Sequence, residues 1–382
     1  MKKQVLVVVQ NLTVGGITSS LINFIDYLNE QYQNELDIDL FTFSSLNQVY
    51  DIPQNINMSH GNMLLELSAT SFFDVLKSKN IRNIFIRIFL MLYVRLIGSE
   101  SFYNKILKKH INTKEYDIAI SYSNDVPGNY FNQGTNHYVA DFTNANEKFA
   151  WIHTDPIKMC FDKKHCEKVY KKYNRIICVS DAVKKSFDRL IPIFSDKTEV
   201  FYNVFNKKQI LKQAGEYQPF EDTGVFNIIT VCRIDNDTKR VDGIVHLCNR
   251  LKKDGISNFK WRIVGDGPSL RKNIRLAKIL KVFDVIEFVG EKKNPYPYVL
   301  YSDLFALYSA YEGHPMVIGE AIATGTYILT TNYAAAKEQI DSQYGTIALS
   351  DEDFYQQIKE LIKNFKGKEK DATFIKCNSS CI

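Results

Sequence analysis

Two glutamates eight residues apart, Glu312 and Glu320, bound the most chemically loaded stretch of the chain, Glu312-Gly313-His314-Pro315-Met316-Val317-Ile318-Gly319-Glu320. The apolar run LFALYS precedes it and EAIATG follows it, so the stretch reads as strand, turn and helix. Pro and Gly between the two acids put one carboxylate before the helix and one inside it. The unsatisfied N–H groups at such a helix start can hold an anion such as a phosphate. A carboxylate beside a phosphate would repel it. Each Glu is therefore expected to accept hydrogen bonds from hydroxyls, on a sugar or a ribose. The plainer alternative is a surface-loop Glu followed by a helix-start Glu.

Further patterns follow in order along the chain. Gly15-Gly16 comes after the first apolar run, and Trp151-Ile152-His153 closes a later one. Arg233-Ile234 is followed by Lys239-Arg240-Val241-Asp242, then by Gly265-Asp266-Gly267-Pro268 and Ala323-Thr324-Gly325-Thr326. With the glutamate pair these make the chain resemble the retaining glycosyltransferases of family 4, which have the GT-B fold, over roughly residues 4 to 340. Two positions depart from that family. Thr326 stands where Pro is usual, and His314 where an aromatic or apolar residue is common, so no donor sugar is carried over.

The resemblance assigns roles. Arg233 and Lys239 leave one loop and would converge on a nucleotide diphosphate, Arg as a fork and Lys as a point charge; a solvated basic loop is the alternative. Gly265 and Gly267 would bring a tight turn close to the nucleotide base, though the same residues also make a plain turn. Glu320 would hold the ribose hydroxyls. Glu312, with Gly313, His314 and Pro315 beside it, would contact the donor sugar. Met316 and Val317 would offer backbone N–H groups to the phosphates. His153 would reach the donor sugar, the alternative being a buried, hydrogen-bonded histidine at a strand end. Gly15 and Gly16 would let the first loop approach donor phosphates or acceptor.

No metal or other cofactor is expected. Asp235-Asn236-Asp237, Asp37-Ile38-Asp39 and Asp351-Glu352-Asp353 each have the D-x-D spacing that can hold a diphosphate-bound divalent ion. The first shares its loop with Lys239 and Arg240, whose charges can replace a metal. The second flanks a strand interior, and the third reads as a helix start.

The elements that must position these groups alternate as strand and helix, which indicates open parallel α/β sheets. Val5 to Val9 is a β-branched run suited to a strand covered on both faces. Gly15-Gly16 is able to take positive φ in the turn, and Thr18 or Ser19 can cap a helix through Leu28. Strands are expected at 37–43, 117–122, 149–153, 175–179 and 199–202, then at 226–232, 259–264, 285–289, 304–308 and 327–331. Val241 to Lys253 reads as a helix with Val241, Ile244, Val245, Cys248 and Leu251 on one face. The expected class is α/β, GT-B, with two Rossmann-like doubly wound domains and a cleft between them. Residues 1–205 would be the acceptor-side domain, 206–350 the nucleotide-sugar-binding domain and 351–382 a C-terminal helix and tail. A hinge is expected over Asn203 to Thr223. The long closing helix that the resemblance implies is expected to be short or missing, since 367–382 reads as irregular and polar.

Residues 77–110 hold eight Lys/Arg and one Glu around the run IFIRIFLMLYVRLI. Arginine interrupts it too often for a membrane span. An interfacial helix on an anionic leaflet fits, with Arg87 and Arg95 at lipid phosphates and Phe89, Leu92 and Leu96 in the acyl boundary; a buried helix with Arg at its edges is the alternative. The net charge, +5 from 48 basic and 43 acidic residues, gives no reason to expect nucleic acid. The seven cysteines are irregularly spaced with no C-x-x-C pair, which fits free thiols in a reducing compartment. The first apolar run is too short for a signal peptide. The resulting expectation is a cytoplasmic, metal-independent retaining enzyme, peripheral on the inner face of the plasma membrane. It would move a sugar from a nucleotide sugar, UDP-linked, to a lipid-linked or growing glycan of a bacterial capsule, exopolysaccharide or wall polymer. A GT-B-like sugar-nucleotide epimerase and a catalytically silent partner subunit are the alternatives.

Overall fold

The computed structural model describes residues 2–123, 125, 134–221 and 224–365. Thr223, Cys377, Cys381 and the tail from Gly367 lie outside the described residues. Among the described residues thirteen strands form two parallel sheets. The first holds β1 (Lys3–Val9), β2 (Leu36–Thr42), β3 (Asn57–His60), β4 (Asn112–Ser121), β5 (Thr143–Ile152), β6 (Arg175–Cys178) and β7 (Thr198–Val200). Their spatial order is β3-β2-β1-β4-β5-β6-β7. The second holds β8 (Phe226–Val231), β9 (Phe259–Val264), β10 (Ile286–Gly290), β11 (Leu304–Leu307), β12 (Tyr327–Thr331) and β13 (Gly345–Ala348) in the order β10-β9-β8-β11-β12-β13. Both follow the doubly wound order 3-2-1-4-5-6, the first sheet with one strand added.

The chain divides into two compact units. The first is Met1–Lys207 with Tyr311–Gly319 and Tyr333–Gln339; the second is Lys208–Ala310, Glu320–Asn332 and Ile340–Ile382. The sequence points to contiguous domains, whereas two short returns group with the first unit. The helix Asp351–Asn364 belongs to the second unit, where Phe354 is fully buried against Tyr308 with ring centroids 4.7 Å apart.

The strands form where sequence and pairing agree. Val5 to Val9 are all buried, as a central parallel strand requires, and Val5–Val8 pair with Ile118–Ser121 of β4. In the second unit Val241, Ile244, Val245, Cys248 and Leu251 are all fully buried on one helix face, against a core that includes Trp261. Other expectations fail for local reasons. Gly15 is extended at φ 164, and the first helix begins at Gly16 and runs to Tyr32, so Thr18 and Ser19 lie inside it instead of capping it. The strands β3 and β13 are absent from the sequence reading because neither is a continuous apolar run. The expected hinge contains a helix, Lys207–Ala214.

The basic apolar segment folds mainly as the helices Ile81–Ile97 and Ser99–Leu107. Asn80 caps the first through its side chain, and Gly98 at φ 81 ends it. Arg87 does not face outward as expected. It shares a face with Leu90 and Val94 and is 5% exposed, and burial pulls its pKa down to about 10.

Each unit holds one of the two tryptophans, Trp151 and Trp261. Ile244→Ala should destabilise the second unit by about 2–5 kcal/mol through the cavity it leaves. The denaturation midpoint read from Trp261 fluorescence in a Trp151→Phe background should fall accordingly. An unchanged midpoint would contradict this packing.

Candidate functional site

In the second unit the strand order reverses between β8 and β11, so the loops leaving these strands diverge from one point, where ligands of open α/β sheets bind. The loop after β8 carries Arg233, whose side chain is exposed, and Lys239, which is partly buried. Ile234 between them is fully buried and anchors the loop. Its N–H donates to the Asp266 carbonyl at 2.9 Å and its carbonyl accepts from Ser269 N–H at 3.1 Å, so the loops after β8 and β9 lie against each other. Asn236 and Asn273 exchange side-chain amide bonds of 3.2 and 2.8 Å across the same seam. On the other side Ala310 N–H donates to the Thr238 carbonyl at 2.8 Å, which ties the loop after β8 to the chain leaving β11.

Gly265 is required here by backbone contact. Its φ is 145, and a Cβ would stand 1.9 Å from the Cys232 carbonyl oxygen. At Gly267 a Cβ would meet the Ile234 carbonyl oxygen at 2.4 Å. Both glycines thus have a packing reason: they let two loops touch. Arg240, expected among the cations at the diphosphate, is used elsewhere. Its guanidinium makes a forked pair with Asp351, at 2.9 and 2.6 Å, and lies 4.2 Å from the Tyr308 ring centroid.

Glu320 is 6% exposed on the helix Met316–Thr324. Burial pushes its pKa up to about 7, opposed by a hydrogen bond from Tyr296. Burial thus favours the neutral carboxyl, and a ligand that donates hydrogen bonds to it favours the ionised one. After this helix the N–H of Thr326 donates to the Ala321 carbonyl at 3.1 Å, a bond the proline usual in the resembling family could not make.

In the first unit the order reverses between β1 and β4. The loop after β1 is held by Gln10, whose N–H donates to Ser123 Oγ at 2.8 Å. Gly15 and Gly16 stand beyond it in open space, with no heavy atom within 4 Å of where a Cβ would be. His153 sits just past β5. Its Nε2 is 2.6 Å from the Tyr122 carbonyl oxygen, and its ring is 4.9 Å from the Tyr122 ring. A carbonyl only accepts, so Nε2 carries the proton and Nδ1 keeps its lone pair. Burial pulls the pKa of His153 down to about 4 and keeps the ring neutral.

The returning segment Tyr311–Gly319 packs on this end of the first unit. A Cβ on Gly313 would stand 2.2 Å from the His153 carbonyl oxygen, so His153 and Gly313 are in backbone contact. The Gly313 carbonyl accepts from Ser180 Oγ at 2.9 Å, and the His314 carbonyl from Asn203 Nδ2 at 2.8 Å. Pro315 accepts from Gln339 Nε2 at 3.2 Å, and His314 Nδ1 lies 3.3 Å from the same amide. The His314 ring is buried beside Tyr202, and burial pulls its pKa down to about 4. Met316 is buried, while Glu312 and Val317 are partly exposed. Met316 and Val317 open a helix, where N–H groups lack intrahelical partners.

Within the first unit the structure thus joins His153 to Gly313 and its neighbours. Within the second it sets Arg233 and Lys239 on a loop seated on Gly265 and Gly267. Ser180, Asn203, Gln339 and Tyr296, which hold these residues, are absent from the sequence reading. Ser180 is legible as the cap of the helix Asp181–Leu190, but its bond to a carbonyl 133 residues away is not. Among the described residues no group of three or more His, Cys, Asp or Glu is gathered as metal ligands. Asp235 caps the turn Asn236–Lys239 by accepting from the Asp237 N–H at 3.0 Å, and Asp39 accepts from Lys114, Tyr116 and Asn57.

Residues 217–377 match the family described as Glycosyl transferases group 1. The chain is 25% identical over 190 residues to the N-acetylgalactosamine-N,N'-diacetylbacillosaminyl-diphospho-undecaprenol 4-alpha-N-acetylgalactosaminyltransferase of Campylobacter jejuni, covering 48% of this chain and 50% of that protein. The chain thus spans about half the length of the curated relatives it matches. Among solved structures, HepE of Anabaena in complex with UDP and glucose is similar with TM-score 0.66 at 14% identity, over 94% of this chain and 89% of that one. WaaG, a glycosyltransferase involved in lipopolysaccharide biosynthesis, is similar with TM-score 0.59 at 14% identity, over 94% and 90%. The fold is GT-B, with two Rossmann-like α/β units.

Because the folded pKa of His153 and His314 lies below the unfolded value, the unfolded chain takes up their protons first. Both therefore cost stability as pH falls from about 6.5 towards 4. Their ring resonances should not titrate across roughly pH 6 to 8 in an NMR titration. A midpoint near 6.5 for either would overturn its burial.

Proposed function

We propose that this chain is a retaining, metal-independent glycosyltransferase. It takes a sugar from a nucleotide diphosphate donor, UDP-linked, and adds it to a lipid-linked or growing glycan of a bacterial capsule, exopolysaccharide or wall polymer. It works as a peripheral protein on the cytoplasmic face of the membrane. The observation that carries the reading is the switch point of the second sheet. There Arg233 and Lys239 stand on a loop pinned by Ala310 N–H to the Thr238 carbonyl, on the strand ends where nucleotides bind in this class of sheet. The complex of HepE with UDP and glucose supports a UDP-linked donor. The diphospho-undecaprenol in the name of the Campylobacter relative supports a lipid-linked acceptor.

In this reading Arg233 and Lys239 neutralise the diphosphate, with N–H groups of Met316 and Val317 as further donors. Glu320 accepts from the ribose hydroxyls. Glu312, with Gly313, His314 and Pro315, and the neutral His153 orient the sugar, and Gly15 and Gly16 leave room for donor phosphates or acceptor. The acceptor oxygen bonds to the anomeric carbon as the bond from that carbon to the phosphate oxygen breaks. The acceptor proton passes to the departing diphosphate on the same face, which gives retention without a protein nucleophile. Charge growing on the leaving phosphate is what the two cations stabilise, so Lys239→Ala should lower turnover more than nucleoside affinity.

Ribose hydroxyls that donate to Glu320 favour its ionised form. UDP binding should therefore release protons from Glu320 near neutral pH, where burial has raised its pKa to about 7. Calorimetry in buffers of different ionisation enthalpy should show this release, and Glu320→Gln should diminish it and weaken binding. Equal release by the wild type and Glu320→Gln would remove Glu320 from the ribose. Incubation with a panel of nucleotide sugars, with and without membrane lipid extract and in excess EDTA, tests the reaction. Donor turnover without acceptor would mean an epimerase, and binding without turnover a silent partner. Activity lost in EDTA and restored by manganese would overturn the metal-free step.

A further inference from the structure

The outward face of the helix Ile81–Ile97 has the polarity of an interior. With successive side chains turned by about 100°, Ile81, Phe85, Ile88, Phe89, Leu92 and Leu96 fall within one stripe about 100° wide. Phe85 is 68% exposed, Phe89 63%, Leu92 58% and Leu96 85%. The opposite face, with Arg87, Leu90 and Val94, is the buried one. The helix packs against the helices Met63–Ala69, Phe72–Lys77 and Ser99–Leu107, so its rotation is fixed. On the same helical wheel, exposed Arg82 and Arg95 border the stripe on its two sides. No acidic residue occurs from Val75 to Ser99, and exposed Lys77 and Lys79 precede the helix while Lys105, Lys108 and Lys109 follow it.

We infer that this face docks on an anionic lipid bilayer. The helix lies in the membrane plane, the stripe enters the boundary between headgroups and acyl chains, and Arg82 and Arg95 reach lipid phosphates on either side. Arg87, expected at the lipid, instead faces inward and helps set which face is left outside. Charge selects the occupant. A second copy would bring the same cations against these, whereas lipid phosphates neutralise them along the whole stripe. The stripe spans four turns, roughly 22 Å, which suits a flat apolar boundary. The inference deepens the reading of a lipid-linked acceptor and rests on it for its purpose; the binding itself needs neither donor nor acceptor.

The test is co-sedimentation of the full chain with vesicles of equimolar phosphatidylglycerol and phosphatidylcholine, and of phosphatidylcholine alone. The wild type should partition to the anionic vesicles, less so at high salt. The triple variant Phe85→Ser, Leu92→Ser, Leu96→Ser and the double variant Arg82→Glu, Arg95→Glu should each lower that partition at least about tenfold. Lys272→Glu, an exposed charge reversal in the second unit, should leave it unchanged. Melting temperature and UDP affinity of all variants should match the wild type, so a failure of docking is distinguishable from a failure of the donor-site reading. Folded wild type left in the supernatant would overturn the inference, as would equal binding to both vesicles that ignores the arginine reversals. A lipid-free oligomer dissolved by the serine substitutions, without vesicle binding, would assign the face to protein association and also overturn it.

Discussion

All strand pairs in both sheets are parallel, and the rest of the structure depends on that. A parallel strand cannot return by a hairpin, so each crossover leaves one end of the sheet and re-enters at the other. Every residue that follows a strand is delivered to the same rim. Where the order reverses, two neighbouring loops part and leave space. His153, Gly15, Arg233, Lys239 and Gly265 all follow strands, so their placement is a consequence of topology before any side chain is considered. The loops then close down on one another through backbone contacts, among them Gly265 on the Cys232 carbonyl and Gly313 on the His153 carbonyl.

Burial acts in opposite directions on the acid and the bases held at these rims. It keeps His153 and His314 neutral and raises Glu320 towards neutrality, because desolvation always penalises the charged form. The histidines are thereby hydrogen-bonding fixtures with a set tautomer and no switching role at ordinary pH. Glu320 is the reverse, a group whose charge state a bound hydroxyl can decide.

The sequence made much of this legible. Val5 to Val9 by its unbroken apolar run, and Phe226 to Val231 by its mainly β-branched and apolar one, announce central parallel strands, and the class of fold follows from their alternation with helices. The face of Val241–Lys253 reads directly from its period. Short strands without an apolar run, such as Asn57–His60, carry no local signal because pairing alone makes them strands. Gly15-Gly16 suggests a bend in the sequence, yet Gly15 is extended, and its smallness leaves room instead of bending the chain. Arg87 and Arg240 depart from expectation for one reason. A charge looks solvent-bound in sequence, whereas one is packed beside Leu90 and Val94 and the other is spent on Asp351 and Tyr308. The bonds of Ser180, Asn203 and Gln339 to the segment 313–315 link positions far apart in the chain, and no local pattern encodes them.

The chain passes from one compact unit to the other five times, at 207/208, 310/311, 319/320, 332/333 and 339/340. The two units are therefore not beads that recombination could exchange at a single joint. A chimera fused at residue 207 would import, along with a foreign second unit, a foreign version of the strip that meets Ser180, Asn203 and the His153 carbonyl. Glu338 would change with it, and Glu338 accepts from the N–H groups of Asp181 and Ala182 at 2.7 and 2.8 Å. Shuffling of such halves, in nature or in the laboratory, is constrained less by the linker than by whether a glycine and an amide arrive at these places.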